Sequence, residues 1–230
     1  MRPLTCTKGS HNLAVTAEKR AVDIGSSATY KVDVYFDYAC PFAWAAQIWL
    51  DQVKDELGDD LEVTWRIFPL EQVNAPDPDF KVWEQPNDGT SSTLRSFQAF
   101  HAAQQQGEEL FRRFHAALFR KRHEEGRNLS RQQVLESAAE EAGLDLERFR
   151  EDLASDEVFD VIRRDYTEGK AEHEVFGTPT IVFENGTGAY LKLNYMDMPA
   201  DPVAFFHEFV SVVRYRPSVI EIKRPRPMGK

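Results

Sequence analysis

Hydrophobic periodicity changes twice along this chain, and that order restricts the fold more than any other feature. Val32, Val34 and Phe36 alternate with Asp33 and Tyr35, the pattern of a strand with one buried face, and residues 31–37 are read as that strand. A helical pattern follows from Pro41 to about Leu57, with Trp44, Ile48 and Val53 or Leu57 inward and Gly58 as its stop. Leu61 to Ile67 reads as a second strand, so the opening predicts a right-handed parallel βαβ unit. Residues 69–93, with Pro69, Pro76, Pro78 and Pro86, predict a long irregular connection. From Leu94 to about His173 the period is helical throughout. Five helices are expected there, the third opened by Ser130 with Gln133 in a capping box, the fifth capped by Ser155.

Strand signals then return. Thr180–Phe183 is a short apolar strand, Asn185-Gly186 a hairpin turn, and Tyr190 to Tyr195 the returning strand. Asp201-Pro202 opens a last helix through Val213. The order βαβ, helices, ββα predicts an α/β domain interrupted by an all-helical insertion. The sheet domain is assigned to residues 31–93 and 174–213 and the insertion to 94–173. Residues 1–30 are a loosely ordered leader, and 214–230 a basic tail.

The 230 residues are enough for a substantial core. A formal net charge of −10 argues against nucleic acid or an acidic membrane as the partner. No apolar stretch approaches the ~18 residues of a membrane span, and residues 1–30 lack the continuous apolar core of a secretory signal. The two cysteines, Cys6 and Cys40, are no disulfide framework, and the expectation is a cytoplasmic protein, a monomer or homodimer.

Cys40 has the most informative setting. The strand ends in Phe36-Asp37-Tyr38-Ala39-Cys40, and Pro41 follows where proline suits the first turn of a helix. A thiol at a helix N-terminus meets free N–H groups and the positive end of the dipole, which favour the reactive thiolate. Phe42 and Trp44 are candidates for an apolar mouth, with Trp44 also spaced for core packing. Asp37 has two readings, a carboxylate tuning the thiol or a turn-capping residue. His101 and His115 lie on aromatic helical stripes and read as packing residues, while His123 and His207 read as surface residues. His173 precedes Pro179 by a few residues and is a candidate to approach the site. No metal-binding spacing, phosphate-cradling glycine loop or dinucleotide fingerprint is evident, so no metal and no tightly bound cofactor is expected.

Three segments together resemble the DsbA-like family of thioredoxin-fold proteins. That family includes DsbA-type oxidoreductases, 2-hydroxychromene-2-carboxylate isomerases and kappa-class glutathione transferases. The segments are Phe36 to Trp44, the helical block at 94–173, and Val175-Phe176-Gly177-Thr178-Pro179-Thr180-Ile181-Val182-Phe183. The resemblance spans roughly residues 31–213 and implies a thioredoxin fold with a helical lid. It also implies a cis Thr178–Pro179 bond facing Cys40, and substrate contacts from Pro41, Phe42, Ala43, Thr178 and Pro179.

One departure sets the chemistry. The family's redox members carry Cys-Pro-x-Cys, and here Ala43 stands where the second cysteine would be. A lone thiol attacks a disulfide but cannot resolve the mixed disulfide from within. The leading expectation is a monothiol oxidoreductase acting through Cys40 on a small-molecule or protein disulfide. Glutathione or another low-molecular-weight thiol is its co-substrate. The alternatives are a glutathione-dependent isomerase or transferase and a non-catalytic peptide-binding module. Cys6 is the only other cysteine that could resolve the intermediate.

Overall fold

The structure, a computed structural model, describes residues 29–225. Cys6 and nearly all of the leader lie outside these residues. Strand β1 (Tyr30–Phe36) and strand β2 (Leu61–Ile67) run parallel, joined by helix α1 (Pro41–Leu57). Strand β3 (Thr180–Phe183) pairs antiparallel with β1, and β4 (Gly188–Tyr190) with β3, giving the order β2-β1-β3-β4. Helix α8 (Pro202–Tyr215) packs beside α1, where the Trp49 indole N–H donates to the Pro202 carbonyl at 3.0 Å. This is a thioredoxin-like fold with a helical insertion.

The insertion comprises α3 (Ser92–Gln104), α4 (Glu108–His123), α5 (Gln132–Ala142), α6 (Leu146–Leu153) and α7 (Glu157–Glu172). It shares the sheet's core rather than standing apart. The ring of Phe36, at the end of β1, meets Phe97, Phe100, His115 and Phe119 of α3 and α4 at centroid distances of 5.0–6.0 Å. Alternation along β1 sends Tyr35 to the opposite face. There it packs with Phe68, Val175 and Val182 beneath Tyr166 of α7. Asp165 of α7 is buried and accepts from the Ile67 amide at 3.0 Å, with Arg66 and Arg164 as counter-ions.

Several expectations change. β1 ends at Phe36, so Asp37 belongs to the following turn. The connection after β2 contains a short helix, α2 (Leu70–Val73), and a 3₁₀ turn at Val82–Glu84. Ser130 does not cap α5; Arg131 holds that position, and the Ser130 amide is tied into an Asx turn by Asn128. Asp156 precedes α7, although the Ser155 hydroxyl accepts from the Glu157 amide. Helix α1 is buried more widely than one stripe. Ala43, Ala45, Ala46, Trp49 and Leu50 are covered because α4 and α8 flank it.

The returning strand lies at Gly188–Tyr190 rather than at 190–195, and residues 191–195 are irregular. In the observed register Thr180 faces Tyr190, so the next partner is Pro179, which has no N–H for the ladder. Helix α8 extends through Arg214, which pairs with Glu184 at 2.7 Å instead of opening the tail. Among the described residues no helix is long and apolar enough to cross a membrane.

Candidate functional site

Cys40 occupies the N-cap of α1, with extended backbone (φ −87°, ψ 114°) and Pro41 in the first turn. Its amide donates to the Asp37 carbonyl at 3.0 Å, closing the turn that carries the chain from β1 into the helix. The side chain makes no cap hydrogen bond, so the sulfur is not committed to its own helix. It points across the sheet. The Sγ donor lies 3.2 Å from the Thr178 carbonyl oxygen, and the residue is 4% exposed. The Thr178–Pro179 bond is cis. Two segments far apart in sequence thus meet at one sulfur.

Ala43 is fully buried one turn into α1. A methyl group fills the place a resolving thiol would need. Thr178 is buried too, and its hydroxyl has no hydrogen-bond partner. Pro41 is exposed and Phe42 half-buried.

Asp37 is a turn anchor. One carboxylate oxygen accepts from the Ala39 amide and the other from Leu70, both at 2.7 Å, joining the Cys40 turn to the start of α2. Burial pushes its pKa up from the ordinary aspartate value, and the two amide donors pull against that shift. His173 lies beside Tyr35, at a ring distance of 6.1 Å, and near Glu168 and Glu172. Those neighbours place it on the Tyr35 side of the sheet, whereas Cys40 packs in the opposite cluster.

The lid grips the Cys40 turn through Tyr38. The Tyr38 hydroxyl pairs with His115 Nδ1 at 2.7 Å, and the Tyr38 carbonyl accepts from His123 Nε2 at 2.9 Å. His123 is therefore not a free surface residue. Its ring stacks on Trp44 at 5.3 Å and 12°, and burial lowers its pKa. The charged run Arg120-Lys121-Arg122 before it disguised that role, although its spacing of four from Phe119 was a signal. Burial also drives the His115 pKa well down and the Tyr38 pKa well up, so this pair is neutral.

The mouth of the site includes residues that sequence reasoning did not single out. Phe176 is 63% exposed and its ring sits 5.0 Å from Tyr190. The Lys192 ammonium lies 4.7 Å from the Phe42 ring centre and 5.1 Å from that of Tyr190. Tyr195 leans on Trp44 at 4.9 Å. These groups come from the irregular run after β4 and the loop before Pro179, whose positions depend on the finished sheet. The arrangement brings a lone thiol, the cis Thr178–Pro179 loop and, near them, partly exposed aromatic side chains to the start of α1.

Comparison with known proteins identifies the family and the fold. The family model described as a DSBA-like thioredoxin domain matches residues 31–211. An uncharacterised protein of Mycobacterium tuberculosis is 26% identical over 196 residues, which cover 85% of this chain and 82% of that protein. The crystal structure of a probable DsbA oxidoreductase from Streptomyces coelicolor superposes with a TM-score of 0.57 at 18% identity, covering 87% of this chain and 96% of its own. Pseudomonas aeruginosa DsbA gives 0.52 at 17% identity, with 80% and 83% covered. At such identities the likeness to the solved structures is one of fold.

Proposed function

This chain belongs to the DSBA-like thioredoxin family, and on that premise we propose that it is a thiol–disulfide oxidoreductase with Cys40 as its sole nucleophile. The observation that carries the reading is the placement of Cys40 Sγ at a helix N-cap, 3.2 Å from the Thr178 carbonyl beside Pro179, with only the Ala43 methyl one turn away.

The cycle has two exchanges. The Cys40 thiolate attacks one sulfur of a disulfide R–S–S–R′, forming Cys40–S–S–R and expelling R′–S⁻, which takes its proton from solvent. An external thiolate then attacks the Cys40–S–S–R bond, restores Cys40–S⁻ and carries R away as a new disulfide. The sum is an exchange: one external thiol enters a disulfide with R, R′ leaves as the thiol, and the protein returns unchanged. Pro41, Phe42, Ala43, Thr178 and Pro179 border the bound sulfur in this scheme. Glutathione or a similar low-molecular-weight thiol is the second reactant, which suits a reducing compartment such as the cytoplasm.

The test is reduction of a glutathionylated peptide by glutathione, catalysed by the full chain. Cys40→Ser is expected to fall to the uncatalysed rate, and Cys6→Ser to retain the wild-type rate. Catalysis that survives Cys40→Ser overturns the proposal.

A further inference from the structure

The two exchanges require a thiol but do not themselves select one, and the mouth of the site carries a cation that neither exchange uses. Lys192 lies two residues past the end of β4. Its ammonium is held between the faces of Phe42 and Tyr190, at 4.7 and 5.1 Å from the ring centres. One ring belongs to, and the other packs against, a segment that meets the thiol. Phe42 is two residues beyond Cys40 on α1. Tyr190 pairs with Thr180 in the sheet, and its ring closes on Gly177, where a Cβ would meet Tyr190 Cε2 at 3.4 Å. Gly177 directly precedes Thr178, whose carbonyl accepts from Cys40 Sγ.

A ring face attracts an ammonium through its quadrupole without consuming an N–H donor. All three donors of Lys192 remain for an incoming acceptor, and its side chain is exposed. Among the described residues no carboxylate lies within ion-pair distance of it. The rest of the molecule opposes an anion. With a formal net charge of −10, the long-range field repels a negatively charged thiol. A cation near the thiol offsets part of that repulsion locally.

We infer that Lys192 forms a carboxylate subsite beside Cys40, and that the thiol closing the cycle is an anionic low-molecular-weight thiol of the glutathione type. The inference rests on Cys40 being the reacting thiol, and it names the class of its second reactant. Lys192 binds and orients; it takes no part in the sulfur exchange.

The experiment uses the full chain carrying Cys6→Ser, with Cys40 converted to its neutral pyridyl mixed disulfide. Release of pyridine-2-thione is followed with glutathione, which is anionic, and with 2-mercaptoethanol, which is neutral. The ratio of the two rate constants cancels intrinsic changes in Cys40 reactivity. Lys192→Gln is expected to lower that ratio about five-fold, the upper range for an exposed ion pair. Lys192→Arg is expected to keep it, because the charge is retained. An unchanged ratio in Lys192→Gln overturns the subsite while leaving the Cys40 reading intact. Failure of both thiols to release pyridine-2-thione from the parent chain overturns the Cys40 reading, and the subsite with it.

Discussion

At the scale of single residues, Ala43 separates what this site starts from what it finishes. Its methyl is fully buried, one turn beyond the N-cap that Cys40 occupies. Ala43→Cys would place a second thiol on the same helix, able to displace R from Cys40–S–S–R and leave a disulfide between Cys40 and the introduced thiol. Mixed with a glutathionylated peptide and no added thiol, the wild type is expected to accumulate a covalent adduct visible by intact mass. The variant is expected to discharge that adduct within the same period. Persistence of the adduct in Ala43→Cys would show that position 43 cannot reach the sulfur. Cys40, Pro41 and Ala43 were legible in the sequence because helix starts and proline chemistry are local. Lys192, Tyr190 and Phe176 were not, because a strand register and a loop bring them to the thiol. His123 was misread for a related reason: its partners Trp44 and Tyr38 are distant in the chain, while its immediate neighbours are surface cations.

At the scale of elements, the period of the sequence located the helices and strands well and their ends less well. Ends depend on what an element packs against. β4 is short because Pro179 accepts from the Leu191 amide but has no N–H to return, and α8 runs on through Arg214, which pairs with Glu184. Helix α7 offers a case where local propensity and packing disagree. Gly169 lies inside that helix, where alanine is ordinarily favoured by about 1 kcal/mol. Here a Cβ would fall 2.7 Å from Cε1 of Tyr35, a fully buried ring wedged against Phe68. Gly169→Ala is therefore expected to destabilise by about 1–3 kcal/mol, the usual cost of overpacking. Urea denaturation checks the sign; a stabilised variant would mean that Tyr35 yields easily.

At the scale of the whole molecule, the lid and the sheet domain are joined through neutral histidines in an aromatic interior. The His115 pKa is driven well below 6.5 by burial, and His123 is lowered in the same direction. The unfolded chain therefore binds protons that the folded chain refuses. The stability these groups support is full above about pH 6.5 and is lost as pH falls below it, at up to about 1.4 kcal/mol per pH unit for the fully buried His115 and less for the partly exposed His123. Asp37 and Asp51, whose pKa values burial raises, act with the opposite sign, so the comparison must isolate one histidine. The urea midpoint of the wild type is expected to fall between pH 7 and pH 5. His115→Phe is expected to be weaker at pH 7, having stripped the Tyr38 hydroxyl of its partner, but to fall less over that interval. Equal slopes would remove His115 as the source.

The long separation across the sheet also has a consequence for how the molecule is made. β1 pairs with β3, Val32 opposite Phe183, and the Cys40 sulfur takes its acceptor from Thr178. During synthesis Cys40 therefore emerges long before the strand and carbonyl that complete its surroundings. A nascent chain stalled within the insertion holds an ordinary cysteine with no Thr178 to engage it. Only completion of the strand beyond Pro179 gives that cysteine the acceptor and the covering residues described above, so the site is assembled late in folding.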